Sequence, residues 1–531
     1  MGIKDELHQP VGYDENEVPV RPAAMTWGLR GLGLGLALLV WLLLGGQEGL
    51  SADARIVAAI GTLMAVWWMT EAIPLSATAL LPIVLIPAMT ETTVGQATAP
   101  YASSIVFLFL GGFLIAIAME KWHLHTRIAL MTLNKVGVAP TRIVLGMMLA
   151  TGFLSMWVSN TATTLMMLPI GMSVLSLVIE RGSNQAGADA EAALRDGQTI
   201  SQTVDDPNIR AFGVCLVLSI AWAASMGGLG TLLGSPPNAI VAGYASDQLG
   251  RDIGFLQWMI LGTPAALIFI LIAWVLMTKV LYRFDLPEIP GGRQMIEEQL
   301  HGLGRLSKGE RMVLCVFLGA AFLWVVPGLL ASFPAIGAAA PWLDALDDTA
   351  IAIGAGLVMF LLPGDRQGNM VLEWKDAETG LPWGVLLLFG GGLSLASAVA
   401  ASGLDVWFGE QVTGLGALPT VLLVGAVVTI ILFLTEVTSN TATAATFIPI
   451  LGGVALGIGA DAMTLLIPAA LAATCAFMLP VGTPPNAIVF GTGTVTIGQM
   501  ARGGIVLNIV GILLITGLTW LLGGLALGLQ F

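Results

Sequence analysis

About eleven runs of this chain stay apolar over enough consecutive residues to cross the roughly 30 Å hydrocarbon layer of a bilayer. One soluble core could not hide that much apolar surface: 56% of the 531 residues are hydrophobic, 10% are charged, and the mean hydropathy is +0.88. Within hydrocarbon every backbone N–H and C=O needs a partner inside the protein, so a span is either a helix or a strand of a closed barrel. Barrel strands are short and alternate, and these runs do neither. The expected fold is an all-α polytopic membrane protein.

Charge placement gives the topology. Spans at 27–45, 55–70, 73–90, 103–119, 211–245, 254–280, 311–332, 349–363, 383–401, 463–490 and 504–527 are expected, with residues 143–179 and 419–456 each dipping in and returning to the same side. With the N-terminus cytoplasmic and the C-terminus outside, only Arg55 and Arg251 of the 21 Lys and Arg fall outside. The stretches 328–365 and 403–462 carry no Lys or Arg but hold Asp344, Asp347, Asp348, Asp405, Glu410, Glu436 and Asp461, and should face outward. The acidic N-terminal 26 residues read as a cytoplasmic tail. No cleavable signal peptide is expected, since the run "GLGLGLALLVWLLL" is followed by another span. Cys215, Cys315, Cys475 and four scattered histidines have no spacing suited to zinc, haem or a disulfide framework, and a net charge of -13 gives no reason to expect a nucleic-acid partner.

The chain repeats itself. "MWVSNTATTLMMLPI" at 156–170 returns as "EVTSNTATAATFIPI" at 436–450, "FLFLGGFLIAIAM" at 107–119 resembles "LLLFGGGLSLASA" at 386–398, and "LLGSPPNAIV" at 232–241 pairs with "LPVGTPPNAIV" at 479–489. The polar, Ala/Gly/Ser-rich segment 181–209 accounts for the change in offset and reads as a cytoplasmic insertion. The topology gives the two halves opposite orientations, hence an inverted repeat. Inverted repeats with interrupted apolar segments at matching positions point to a secondary transporter with its site near the midplane. A Ser-Asn-Thr string at a hairpin tip can cap the next helix start and aim free N–H groups at a ligand. Pro236, Pro237, Pro484 and Pro485 cannot donate, which frees carbonyls upstream, and Asn238 or Asn486 can cap the helix that resumes. Freed carbonyls suit a hard monovalent cation; freed N–H groups suit a carboxylate.

Other polar features have plainer readings. Gly111-Gly112 and Gly390-Gly391-Gly392 fit close helix packing. Glu71 falls in a cytoplasmic turn and reads as a cap or packing residue; Glu436 reads as a contact within the hairpin or the outer vestibule and not as a proton carrier. His123 and His125 sit in a basic amphipathic stretch that suits an interfacial helix.

"WWMTEAIPLSATALLPIVLIP" at 67–87, both SNTAT hairpins and both PPN breaks, in order across residues 27–527, resemble the divalent anion/sodium symporters, which include bacterial dicarboxylate transporters of the INDY type. The resemblance implies a homodimer in the cell (inner) membrane, each protomer having a scaffold and a transport domain that slides as an elevator. The scaffold would comprise residues 27–142 and 311–418, and the transport domain 143–280 and 419–527, with 281–310 a cytoplasmic connection and 1–26 the tail. It implies substrate carboxylates held by Ser159, Asn160, Thr161, Ser439, Asn440 and Thr441. One sodium site resembles Ser155, Ser159, Asn160 and Gly234, and the other Thr435, Thr438, Asn440 and Gly482. Ser235 stands where the second half has Thr483. No Lys or Arg lies in either motif, so co-transported Na⁺ and helix N-termini must compensate a bound dianion. The implied activity is sodium-coupled symport of di- or tricarboxylates of the succinate, malate and fumarate class, with no organic cofactor. A sodium-independent exchanger, a sulfate symporter and an anion channel are the alternatives. No catalytic motif of a membrane-embedded enzyme is present in the sequence.

Overall fold

The computed structural model describes residues 22–182, 204–287, 292–340 and 346–530. Most of the insertion at 181–209 and of the N-terminal tail lies outside the described residues. Among these residues the regular secondary structure is helical, apart from one isolated bridge between Pro363 and Met370. Seventeen helices matter here, and shorter ones are named by their residues. The first half contains α1 (Ala23–Leu43), α2 (Ala52–Thr70), α3 (Ser104–Lys121), α4 (Leu124–Val136), α5 (Pro140–Ser155), α6 (Asn160–Gly182), α7 (Pro207–Gly227), α8 (Pro236–Leu249) and α9 (Phe255–Leu276). The second contains α10 (Lys308–Ala331), α11 (Asp348–Leu361), α12 (Trp383–Ser402), α13 (Thr420–Thr435), α14 (Asn440–Gly457), α15 (Ala462–Ala473), α16 (Pro484–Gly491) and α17 (Ile497–Leu527).

Among the described residues, ten helices are long and apolar enough to cross a membrane. Two expected spans come out shorter for local reasons. The run at 73–90 divides at Leu80 into Leu75–Thr78 and Leu81–Met89, where Pro74, Pro82 and Pro87 supply no N–H. The run at 349–363 makes the 14-residue α11, started by the Asp347 carboxylate accepting from the Ala350 N–H at 2.8 Å. Both expected hairpins form, as α5–α6 and α13–α14, and both PPN segments interrupt a helix, as α7–α8 and α15–α16.

Position in the fold follows from apolar distribution. Helix α1 turns Trp27, Leu34, Leu38, Leu42 and Leu43 outward, as a lipid-facing helix does. Helix α7 is apolar all round and is buried on all sides, from Phe212 to Met226. Gly227 makes the α7–α5 crossing possible, because a Cβ there would lie 2.7 Å from Gly152 Cα. Around α7 pack α5, α6, α9 and α16, while α8 packs on α14 and α15; thus α7 lies beside α16 and α8 beside α15. Glycines also set the crossings of α3 and α12: a Cβ on Gly111 would stand 2.7 Å from Ala352 Cβ, and one on Gly391 2.7 Å from Ala79 Cβ. Helix α4 is amphipathic, burying Leu124, Ala129, Leu130 and Leu133; His125 is buried with its ring nitrogen 3.2 Å from the Met119 carbonyl.

Candidate functional site

The first hairpin turns at Met156–Ser159. Ser159 Oγ accepts from the Ala162 N–H at 3.2 Å and caps α6, which leaves Asn160 as its first residue. The Asn160 carboxamide then faces three oxygens: Ser155 Oγ at 2.6 Å, the Ala224 carbonyl at 3.0 Å and the Gly234 carbonyl at 3.2 Å. With its nitrogen inward, the amide donates to all three. With its oxygen inward, Ser155 donates to Asn160 Oδ1 and the site becomes a ring of oxygens that a cation would hold together.

The second hairpin repeats this arrangement. Asn440 faces Thr435 Oγ1 at 2.6 Å, the Ala473 carbonyl at 3.0 Å and the Gly482 carbonyl at 3.2 Å, with the same two amide orientations. The pairs Ser155/Thr435 and Asn160/Asn440 are both 280 positions apart, so the two clusters are counterparts. Two expected ion residues are otherwise engaged. Ser159 spends its hydroxyl on the cap, and Thr438 Oγ1 donates to the Leu434 carbonyl at 2.9 Å while lying 2.6 Å from Thr443 Oγ1. The Ala224 and Ala473 carbonyls have no side-chain signature in the sequence.

The prolines sit in the first turn of α8 and of α16, where a missing N–H costs nothing. Asn238 and Asn486 do not cap these helices, because an amide nitrogen is a donor and the carbonyls freed by the break need donors. Asn238 Nδ2 donates to the Gly228 and Thr231 carbonyls, both at 2.9 Å, and Asn486 Nδ2 to those of Ala476 and Leu479, both at 3.0 Å. Each Asn thus folds its loop back on itself. The two loops touch: Thr474 Oγ1 donates to Ser235 Oγ at 3.0 Å. Ser235 follows Gly234 and Thr474 follows Ala473, so the two clusters are joined through one hydrogen bond and form one composite site.

Glu436 holds the second half of that site. Its buried carboxylate accepts from the N–H groups of Phe477 at 2.8 Å, Met478 at 2.9 Å and Leu479 at 3.2 Å, and from Asn508 Nδ2 at 2.7 Å. The first half uses a different clamp, with Met156 at the matching position and its carbonyl accepting from the Thr231 hydroxyl. Asn508 is absent from the sequence reading, although a lone Asn inside the apolar run "IVLNIV" is a signal of buried bonding.

At the tips, the hydroxyls of Thr161, Ser439 and Thr441 have no protein partner among the described residues, in contrast to Thr164, Thr435 and Thr438. No Lys or Arg occurs at 143–180, 211–250 or 376–501. Free hydroxyls and helix starts are what remains to meet an anion.

Gly228 lines the first cluster. A Cβ there would lie 2.8 Å from Asn160 Oδ1 and 3.0 Å from the Gly234 carbonyl, inside van der Waals contact. Gly228→Ala is expected to push Asn160 out of register and to weaken ion binding at the first cluster by about tenfold or more, roughly 1.4 kcal/mol. Sodium-dependent thermal stabilisation without substrate measures it; an unchanged sodium midpoint would mean that the cluster does not bind the ion.

A family model described as the sodium:sulfate symporter transmembrane region matches residues 30–525. A sodium-dependent dicarboxylate transporter, SdcS, of Staphylococcus saprophyticus is 40% identical over 507 residues, 94% of this chain and 92% of that protein. SdcS of Staphylococcus aureus is 41% identical over 510 residues, 95% and 93% of the two chains. Among solved structures, the YdaH transporter of Alcanivorax borkumensis is similar in fold, with a TM-score of 0.51 at 12% identity over 95% of this chain and 98% of that one.

Proposed function

Since this chain belongs to the sodium:sulfate symporter family, we propose that it is a secondary active transporter that carries a C4-dicarboxylate together with sodium across the membrane. The observation that carries the reading is the pair of oxygen clusters around Asn160 and Asn440, joined through Ser235 and Thr474 with no cationic side chain in either motif. A dianion at the tips needs positive charge. Two or more Na⁺ ions and the starts of α6 and α14 supply it, so neither ligand binds well without the other. Each Asn offers its oxygen to the ion and its nitrogen to the anion, which is why both tips carry an amide and not a carboxylate.

Sulfate and succinate are both small dianions, which accounts for one family spanning both. The staphylococcal relatives named as dicarboxylate transporters and the threonine at the third position of both tips favour succinate, malate or fumarate. The side-by-side packing of α7 with α16 and of α8 with α15 is that of two antiparallel broken helices, which supports opposite orientations for the halves. The N-terminus is then cytoplasmic and the C-terminus outside, by the distribution of Lys and Arg. In this reading residues 143–280 and 419–527 move as the transport domain against 27–142 and 311–418, in a homodimer. The first tip would have to slide past α10, where Trp157 packs on Phe317 with ring centroids 5.0 Å apart.

Succinate uptake into proteoliposomes is expected to require an inward Na⁺ gradient, with a Hill coefficient for Na⁺ above one. Uptake of equal rate with choline in place of Na⁺ would overturn the coupling and leave an exchanger.

A further inference from the structure

Three arginines from three separate elements meet at one end of the helices that build the ion clusters. A cleft of about 420 Å³ opens between the start of α7, the turn after α9 and the start of α17. Arg210, Arg283 and Arg502 line it together with Val214, Leu281 and Tyr282, and no carboxylate does so among the described residues. Clustered guanidinium groups repel one another, so such a group normally recruits acidic side chains. Here it has not. Arg283 and Arg502 take part in no ion pair among the described residues. Arg210 donates through Nη2 to the Asp205 carbonyl at 2.8 Å, while its Nε is buried with no partner among the described residues. The nearby Asp206 carboxylate is committed to the Asn208 and Ile209 N–H groups at 2.7 and 3.4 Å.

The walls are built and not loose. Tyr282 Oη donates to the Gln499 carbonyl at 2.8 Å, fixing the turn after α9 to α17, and Gly503 is the only kind of residue that fits against the Tyr282 ring and Trp222. Beside the cleft, Val280 and Ile497 are exposed to 65% and 50%, so charged heads border an apolar surface. Charge placement puts all three arginines on the cytoplasmic face, at the depth of the lipid headgroups.

We propose that this cleft between α7, α9 and α17 is a binding site for a phosphate group. Arginine forks pair with phosphate oxygens two at a time, and three forks with no carboxylate among the described lining residues match a multiply hydrogen-bonded oxyanion. The group comes either from an anionic phospholipid of the adjoining leaflet, whose chains would lie along Val280 and Ile497, or from free phosphate. An occupant ties together α7, which provides the Ala224 carbonyl, and α17, which provides Asn508, so it stiffens both halves of the transport site.

The test is thermal stability of the purified full-length protein in neutral detergent, with phosphatidylglycerol, phosphatidylcholine or inorganic phosphate added. It reads no transport and so stands or falls apart from the proposed symport. The melting temperature is expected to rise saturably with phosphatidylglycerol and not with phosphatidylcholine. In the Arg210→Gln/Arg283→Gln/Arg502→Gln variant the apparent affinity should drop by at least about tenfold, the loss of one charged hydrogen-bonding partner. Lys279→Gln, which removes an exposed positive charge that does not line the cleft, should leave it unchanged. A response to inorganic phosphate alone, lost in the same variant, identifies the free anion as the ligand. Equal responses to both lipids with no response to phosphate, or equal losses in Lys279→Gln and the arginine variant, would overturn the site. Should the triple variant fail to fold, the three single Arg→Gln variants carry the same comparison.

Discussion

Glu436→Leu is expected to abolish sodium-driven uptake, lowering it by about a hundredfold or more, while the hydrophobic span itself still forms. The leucine fills the space but offers no acceptor to the N–H groups of Phe477, Met478 and Leu479 or to Asn508 Nδ2. Each buried donor left unpaired costs about 1 to 3 kcal/mol, so the four together cost about 4 kcal/mol or more and exceed the roughly 2.8 kcal/mol that corresponds to a hundredfold. The loop can regain partners only by leaving its present path. That path delivers the Gly482 carbonyl to the Asn440 cluster, since the Gly482 N–H donates to the Leu479 carbonyl at 3.2 Å. Loss of transport therefore passes through loss of sodium. Sodium-dependent stabilisation measured without substrate should be shifted in Glu436→Leu and shifted less in Glu436→Gln, which keeps one acceptor oxygen. If Glu436 instead carried a proton, Glu436→Gln would remove the pH dependence of uptake and leave the sodium midpoint where it was.

What the sequence discloses and what it hides divide along the backbone. Both hairpins and both breaks are readable because they depend on side chains with strong local meaning: Ser-Asn-Thr at a helix start, and paired prolines that cannot donate. Asn160 and Asn440 are readable for the same reason, reinforced by their recurrence 280 positions apart. The Ala224 and Ala473 carbonyls are not, because any residue presents a carbonyl and only the fold decides where it points. Nor is the Thr474–Ser235 bond, which joins residues 239 positions apart that are not counterparts in the repeat. The roles of Asn238 and Asn486 are legible as polar and necessary but not in kind. A cap needs an acceptor, whereas the breaks create an excess of carbonyls, and only counting donors against acceptors in each loop separates the two. Glu436 shows the same limit: its depth marks it as costly, but its partners lie on a loop more than forty residues on and on α17.

Thr435→Val and Thr441→Ala should fail in different ways, although the two threonines stand six positions apart. Thr435 Oγ1 lies 2.6 Å from Asn440 Oδ1 and 3.0 Å from the Ala473 carbonyl, inside the second oxygen cluster. Valine keeps its shape and deletes the oxygen, so sodium binding weakens directly and succinate binding only through linkage. Thr441 is 5% exposed, and its hydroxyl has no partner among the described residues, which leaves it available to a carboxylate at the tip. Alanine there removes one hydrogen bond to a charged group, costing about 1.5 to 3 kcal/mol, or roughly ten- to a hundredfold in succinate affinity. Sodium binding without substrate should barely change. Raising Na⁺ refills a weakened ion site by mass action but cannot replace a missing contact to the anion. High Na⁺ should therefore restore succinate affinity in Thr435→Val and not in Thr441→Ala. Rescue of both variants, or of neither, would mean that ion and anion share both hydroxyls, and the division of the tip into an ion-facing Thr435 and an anion-facing Thr441 would have to be given up even with sodium coupling intact.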